Sequence, residues 1–212
     1  MKIKGELHLH TCYSRDSFIE PAYLEKVLVR KGLSFVAITD HNTFRAVKEW
    51  GNAIPSWIIA GEEIKTSEGE IIGLFLNEEI PPLLTPEETI KRIKGQGGVV
   101  YIPHPFDCWR RSTISKKALY RILPAIDIIE IFNARAIYPK ANQLAERFAQ
   151  EYNLIEVVGS DAHSYGEIGR SWIELEEFIG KEDFLQKVKQ ANLKKQKSSF
   201  WVHLYSSIKK RI

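Results

Sequence analysis

Short apolar, β-branched runs alternate with helical patterns along almost the whole chain. The runs fall at 3–9, 35–39, 57–60, 71–76, 99–102, 127–132 and 155–159. Several are continuous rather than alternating, as expected of parallel strands covered on both faces. Between them lie helix signals. Pro21 and Gly32 bracket one helix, with proline in the first turn and glycine past the end. Asn42 or Thr43 offers a cap for a second that runs to about Gly51. Thr85-Pro86-Glu87-Glu88 is a capping box and Gly97-Gly98 a stop. Ser115 caps a short helix ending before Pro124, Pro139 opens one that runs to about Tyr152, and 181–191 is amphipathic. The segment 198–212 fits helix or extended chain. The alternation breaks once: the run 71–76, reached from Glu63 through Ser67-Glu68-Gly69, predicts a hairpin excursion.

No linker, repeat or low-complexity segment interrupts this order, so 1–212 reads as a single domain. Strand–helix alternation predicts an α/β fold with a parallel sheet. Seven strands predict a closed or nearly closed barrel. An open doubly wound sheet is the alternative, but the Gly-rich phosphate loop that usually accompanies it is missing.

Composition narrows the class. Hydrophobic residues make up 44% and charged residues 27%, ordinary for a soluble globular protein. No apolar run reaches the roughly 18 residues of a membrane span, and the opening MKIKGELHLH is too short and polar for a signal peptide. The expected location is the cytoplasm, with no membrane partner. Two cysteines, Cys12 and Cys108, form neither a disulfide framework nor a CxxC pair. The net charge of +3 is unevenly placed. Lys194, Lys195, Lys197, Lys209, Lys210 and Arg211 make 191–212 basic with no acid, leaving 24 basic against 27 acidic residues elsewhere. Such a segment is a solvated helix face or a contact for nucleic acid or an anionic surface.

The chemistry gathers at the ends of the apolar runs. His8 and His10 end the first, two residues apart, so a strand turns both imidazoles to one face. Asp40-His41 ends the second, Glu62-Glu63 follows the third, His104 ends the fifth, Asn133 the sixth, and Asp161 and His163 follow the seventh. A lone histidine is usually a hydrogen-bonded structural residue and a lone aspartate after a strand usually a helix cap. Five of six histidines at strand ends, with only His203 elsewhere, override those readings jointly. In barrels of parallel strands, such residues meet at one mouth. His8, His10, Asp16, His41, Glu63, His104, Asp161 and His163, with Asn133 a ninth, are too many for one closed zinc site. They suit two or three ions with open positions, and nitrogen and oxygen donors without thiolate suit Zn, Mn or Fe(II).

The motifs His8-Leu9-His10-Thr11 with Ser14 and Asp16, Ile38-Thr39-Asp40-His41, Gly61-Glu62-Glu63, His104-Pro105 and Gly159-Ser160-Asp161-Ala162-His163, in that order, resemble the PHP (polymerase and histidinol phosphatase) family over residues 3–170. The resemblance implies a distorted seven-stranded, TIM-like β/α barrel and a metal-dependent phosphoesterase, usually with three ions. It implies one ion on His8, His10, Glu63 and Asp161. Glu63 would bridge to a second, held also by His104 and Asn133. A third would take Asp16, His41 and His163. Glu63 is preferred to Glu62 because the family pattern places an aliphatic residue after the acid, and Ile64 fits. Two departures stand out. Arg15 separates Asp16 from Ser14, where the family has the acid directly after the serine, and Asn133 replaces the family's frequent His or Cys.

The expected reaction is in-line hydrolysis of a phosphate ester. Asp161 would accept the proton of the attacking water, and a bound water or a loosely ligated His41 would protonate the leaving group. Arg135 and Arg170 would bind phosphate, with Arg110 and Arg111 as further candidates. The expected substrate is a nucleotide, a small phosphomonoester or an oligonucleotide end. Phe106, Trp109 and Tyr165 are candidates to stack on a base, or else ordinary rim packing. Two other classes compete: a metal-dependent hydrolase of an amide or lactone, and a non-catalytic metal-binding accessory module.

Overall fold

The structure is a computed structural model that describes residues 1–49, 54–199, 201–202, 206 and 209. The chain forms an α/β fold around a nearly closed, barrel-like sheet. The strands are β1 (Lys2–Leu9), β2 (Phe35–Ile38), β3 (Ile58–Thr66), β4 (Gly69–Leu74), β5 (Val99–Ile102), β6 (Ile128–Asn133), β7 (Ile155–Gly159), β8 (Trp172–Glu176) and β9 (Asn192–Lys194). The helices are α1 (Leu24–Lys31), α2 (Arg45–Lys48), α3 (Pro86–Gly95), α4 (Lys116–Ile122), α5 (Ala141–Glu151) and α6 (Gly180–Val188).

The strand order is β7-β6-β5-β4-β3-β2-β1-β8-β9. Strands β1 to β3 are mutually parallel, as are β5 to β7. β4 runs against both its neighbours, which is the hairpin that the turn 66–69 imposes. The sheet nearly closes on itself between β1 and the residues after β7, where Leu9 bridges Ala162 and the His10 N–H donates to the Ala162 carbonyl at 2.9 Å.

All seven expected strands are present, but the expected count of seven is corrected to nine among the described residues. β8 pairs antiparallel with the first half of β1, and β9 with β8. Their sequences explain why they escape a search for apolar runs. Trp-Ile-Glu-Leu-Glu buries Ile173 and Leu175 and leaves the alternate positions half-buried or exposed, and β9 has only three residues. Both are antiparallel strands with one wet face, β9 at the edge of the sheet.

Local signals place most helices. Gly32 closes α1 in the left-handed conformation at φ 67°. Thr85 caps α3 by accepting from Glu88 N–H, and Ser115 caps α4 by accepting from Ala118 N–H. α2 differs. It begins after Phe44 with no side-chain cap, because the Asn42 side chain accepts from Lys65 N–H at 2.7 Å instead. Its expected end near Gly51 lies outside the described residues. α4 continues as a 3-10 turn through Pro124, and α5 opens at Ala141 rather than Pro139. Of the segment 198–212, Trp201, Val202, Ser206 and Lys209 are helical, and much of the remainder lies outside the described residues, as does His203.

The apolar core is one continuous cluster, with Leu7 and Leu9 of β1, Val36 and Ile38 of β2, and Ile128 and Ile129 of β6 all fully or almost fully buried. The other side of β1 is different: Glu6, His8 and His10 are buried too, and they point into the barrel. Among the described residues no helix is long and apolar enough to cross a membrane.

Candidate metal centre

The parallel strands bring their carboxyl ends to one mouth, and the histidines arrive there with them. His8 comes from β1 and His10 from just beyond it, His41 from just beyond β2, Glu63 from β3, His104 from beyond β5, Asn133 from β6, and Asp161 and His163 from beyond β7. β4 runs the other way, so its beginning, not its end, lies at the mouth and adds Glu70. His8, His10, Glu63 and Asp161 are completely buried, His104, Asn133 and His163 nearly so, and Asp16 and Glu70 are 5% and 6% exposed.

These groups are in mutual contact. His8 Nε2 lies 3.1 Å from His10 Nε2, 3.5 Å from Glu63 Oε1 and 3.6 Å from Asp161 Oδ1. His10 Nε2 lies 3.4 Å from Glu63 Oε2 and 3.3 Å from Asp161 Oδ1. Glu63 also meets His41 Nδ1 at 2.8 Å and His104 Nε2 at 3.0 Å, so one carboxylate touches four imidazoles. Asp16 joins His163 Nε2 at 3.4 Å and His41 Nε2 at 3.7 Å. The structure therefore brings together every expected metal-site residue except that Asn133 takes part differently. Its amide donates to Glu130 and Asp161 at 2.9 and 3.3 Å.

A second layer fixes how the rings face. His8 Nδ1 meets Glu130 Oε1 at 3.0 Å, His10 Nδ1 meets Ser14 Oγ at 3.3 Å, and His163 Nδ1 meets the Asp161 carbonyl at 2.7 Å. In each case the Nδ1–H donates outward and the Nε2 lone pair turns into the cluster. Glu130 is the hub of this layer. It also accepts from Tyr101 OH at 2.7 Å, His104 N–H at 2.7 Å and the Asn133 amide. It reaches His8 because residue 159 is glycine: a Cβ there would stand 1.9 Å from Glu130 Oε1. Asp40 has a parallel duty. It accepts from Thr11 N–H and Oγ1 at 2.7 and 2.5 Å and from Ser14 Oγ at 2.6 Å, anchoring the loop that carries Asp16. Two site residues hold left-handed backbone despite their side chains, His104 at φ 32° and Asp161 at φ 53°. Strain of this kind persists where surrounding contacts over-determine it.

Electrostatics sort the acids. Burial would raise the Glu63 carboxyl, but His8, His41 and His104 hold it well below the usual range. Burial opposes Asp161 likewise, and Arg110 and His8 override it. His8 is the reverse case: burial would lower it, but Asp161, Glu130 and Glu63 raise it well above the ordinary imidazole value. His10, buried and crowded by His41 and His163, falls well below it.

The donor set fits divalent cations. With Nδ1 of both rings engaged outward, His8 Nε2 and His10 Nε2 face each other and Asp161 Oδ1, so a proton or a cation must lie among them. Asp161 Oδ1 and Glu70 Oε2 are buried without a hydrogen-bond partner. Among the described residues, four groupings of nitrogen and oxygen donors are close enough to hold an ion: His10, His41 and His163; His8, His10 and Glu63; His8, His104 and Asp161; and His41, Glu63 and Glu70.

The centre opens on a cavity of about 460 Å³ whose lining includes Asp16, His41, Glu70, Arg110, Arg111 and Arg135. Arg110 Nη2 lies 2.8 Å from Asp161 Oδ2. Arg135 is buried, donates to Ser206 Oγ at 2.9 Å and pairs with Glu167 at 3.4 Å. Arg170 is half-buried and does not line this cavity. A larger groove, about 900 Å³, lies at the opposite end of the barrel against Asp127, Asn153 and Leu185 and holds none of these groups. Phe106 packs on Phe148, and Trp109 lies exposed near Tyr138. Tyr165 OH accepts from Glu20 N–H. Cys12 and Cys108 are free, exposed thiols.

Comparison with known proteins agrees with this geometry. A family model described as PHP-associated matches residues 139–193. The uncharacterised protein MJ0417 of Methanocaldococcus jannaschii is 36% identical over 200 residues, which are 92% of this chain and 81% of that protein. A two-domain protein from Bacteroides vulgatus, containing a predicted PHP-like metal-dependent phosphoesterase, superposes with a TM-score of 0.66 at 18% identity, covering 92% of this chain and 65% of that one. The lesion-specific endonuclease EndoQ of Pyrococcus furiosus also gives 0.66, at 17% identity, covering 91% and 58%. This chain thus spans less than two thirds of either solved chain.

Proposed function

We propose that this chain, which belongs to the PHP family, hydrolyses phosphate esters with the help of two or three divalent ions (Zn, Mn or Fe) at the barrel mouth. The observation that carries this reading is the meeting of two complementary groups in one cavity. A cluster of five imidazoles and buried carboxylates lies at its floor, and Arg110, Arg111 and Arg135 line its wall. Guanidinium groups match the geometry of a phosphoryl group. A lactone or a neutral amide brings no ground-state anion to match three arginines.

The ligand sets proposed are His8, His10, Glu63 and Asp161 for one ion, His104 and Glu63 for a second, and Asp16, His41 and His163 for a third. Ions held there supply positive charge opposite the phosphoryl oxygens and acidify the attacking water. The protein does the remainder. Asp161, facing the cluster with Oδ1 and Arg110 with Oδ2, accepts the proton of that water. His41, more exposed than the other four imidazoles at 26% of its side chain, faces the side open to a leaving group, and a bound water, or His41 when released from the third ion, protonates that group. Glu63, Glu70 and Asp16 raise the His41 proton affinity, and its pKa is raised to about 9 against the opposing pull of burial. Arg135 binds the phosphoryl oxygens. Arg110 joins it in place of Arg170, because Arg110 lines the cavity.

The substrate proposed is a nucleotide, another small phosphomonoester or the end of a nucleic acid. The cavity is compact, and Ser206 of the basic segment reaches its wall. A panel of nucleotides, sugar phosphates and short single-stranded oligonucleotides, run beside lactones and amides with Mn²⁺ or Zn²⁺ added, tests this. Turnover confined to the phosphate esters is expected. Turnover confined to the lactones or amides, or none at all in metal-loaded protein, overturns the reading.

A further inference from the structure

We infer that Glu70, not Asn133, completes the ligand set of the ion held between His104 and Glu63. This rests on the metal-dependent reading above and refines it. The case begins with what Asn133 already does. Its Oδ1 accepts the Arg135 N–H at 2.9 Å, and its Nδ2 donates to Glu130 Oε2 at 2.9 Å and Asp161 Oδ2 at 3.3 Å. The orientation of the amide is fixed by these partners: neither carboxylate can receive an amide oxygen, and a backbone N–H cannot donate to an amide nitrogen. The only ligating atom of Asn133 thus already accepts from the chain itself, and it is the nitrogen, not the oxygen, that faces Glu130 and Asp161. Its nitrogen is a donor and offers a cation nothing. Asn133 is a positioning residue that orients Glu130 and Asp161.

Glu70 is placed in the opposite way. It sits one residue into β4, directly across the ladder from Lys65. Glu63 and Lys65 share a face of β3, and their partners Ile72 and Glu70 share the same face of β4. Glu63 points into the barrel, so Glu70 does as well, one step nearer the mouth. Its backbone is tied down by the Glu70 N–H bond to the Ser112 carbonyl at 2.9 Å. The side chain is 6% exposed, and Oε2 is buried with no hydrogen-bond partner. That atom lies 3.7 Å from His104 Nε2, and Glu70 Oε1 lies 3.9 Å from His41 Nδ1. His104 Nε2 is in turn 3.0 Å from Glu63 Oε1. Two atoms that share one zinc-like ion at about 2.1 Å each are separated by roughly 3.0–3.5 Å. The nitrogen stands at or near that spacing from each of the two carboxylate oxygens, at 3.0 and 3.7 Å. A divalent cation between the Glu63 and Glu70 carboxylates would remove the repulsion of two buried acids side by side.

The test counts ions rather than turnover. Wild type, E70Q and N133A, each as the full chain, are saturated with Mn²⁺, passed through gel filtration and assayed for bound metal by elemental analysis. E70Q is expected to carry about one equivalent fewer than wild type, and N133A the same number as wild type. An E70Q protein that keeps the full complement, or an N133A protein that alone loses an equivalent, overturns the inference. If E70Q does not fold, as judged by circular dichroism, E70D takes its place. It keeps the charge on a shorter arm, and one class of sites should then bind Mn²⁺ at least about a hundredfold more weakly, beyond the range typical of outer-shell changes. Unchanged affinities in E70D overturn the assignment equally. The phosphoesterase reading fails on a separate measurement, the absence of ester turnover by metal-loaded wild type, so the two failures are distinguishable.

Discussion

Glu62 and Glu63 are neighbours on β3, both fully removed from solvent, and they behave as opposites. Glu63 faces four imidazoles and its carboxyl is held far down the scale. Glu62 points to the other side, accepts one hydrogen bond from Ile80 N–H at 2.9 Å, and is pushed up to about 8 by burial with Glu79 close by. The same division runs through the barrel. Asp161, Asp16 and Glu130, surrounded by imidazoles or Arg110, are depressed, and Glu6 on the floor of the barrel is raised to about 8 by burial. Burial alone therefore does not make an acid functional. What distinguishes the mouth is that each charge there is buried together with cationic or ligating partners. Glu70 stands between the two groups, at the mouth but raised, which is the state that a bound cation would relieve.

The strongest way to break this comparison is to neutralise an acid of the first kind. Asp161→Asn keeps the shape and removes the proton acceptor, so kcat should fall by about 10²–10⁴-fold with metal still bound. Turnover within a few-fold of wild type would remove Asp161 from its catalytic role. A smaller effect is expected one layer out. Glu130→Gln leaves every proposed ligand in place but weakens the acceptor that orients His8. Metal affinity should drop by roughly 10–100-fold, measured by competition with a chelator, and saturating metal should restore most of the activity. A variant with unaltered affinity would mean that Tyr101, Asn133 and His104 N–H alone are what Glu130 serves.

Much of this arrangement was legible in the residues. Apolar runs located seven strands, and polar residues at their ends located the histidines, Glu63 and Asp161, because a parallel strand delivers its carboxyl end to the mouth whatever the distance in sequence. The same rule hid Glu70, since β4 is the reversed strand and presents its beginning there. Glu130 was hidden for another reason. It sits inside Ile-Ile-Glu-Ile-Phe, and a register shift between Glu130 and Phe132 lets both Glu130 and Asn133, an odd number of residues apart, reach one side. An acid inside an apolar run was the available signal. The arginines show a further limit. Arg110 and Arg170 follow His104 and His163 at similar distances, and spacing does not reveal which loop folds back. Asp107 decides it for the first, accepting from Ile137 and Tyr138 N–H at 2.9 Å each and so drawing the Arg110 loop across the mouth.

The mildest test sharpens the comparison from the other side. Glu62 takes no part in the proposed chemistry, so Glu62→Gln should leave turnover and metal content as they are and alter only stability, in a pH-dependent way. The folded carboxyl titrates near 8 and an unfolded one near 4.5. Between those values the folded chain holds a proton that the unfolded chain has released, so stability from this group is fully present below about pH 4.5 and is lost as pH rises through 8. One proton corresponds to a slope of at most about 1.4 kcal/mol per pH unit. Glutamine cannot ionise, and its carbonyl oxygen can still accept from Ile80 N–H, so the variant lacks this slope. Urea unfolding of both proteins at pH 5 and pH 8 should give similar stabilities at the lower pH and a variant more stable by roughly 1–3 kcal/mol at the higher one, since water reaching the carboxylate reduces the full linkage. The other titrating groups are common to both proteins and cancel in the difference. A variant that is less stable at pH 8, or that loses an equivalent of metal, would place Glu62 among the acids of the centre and end the distinction between the two neighbours on β3.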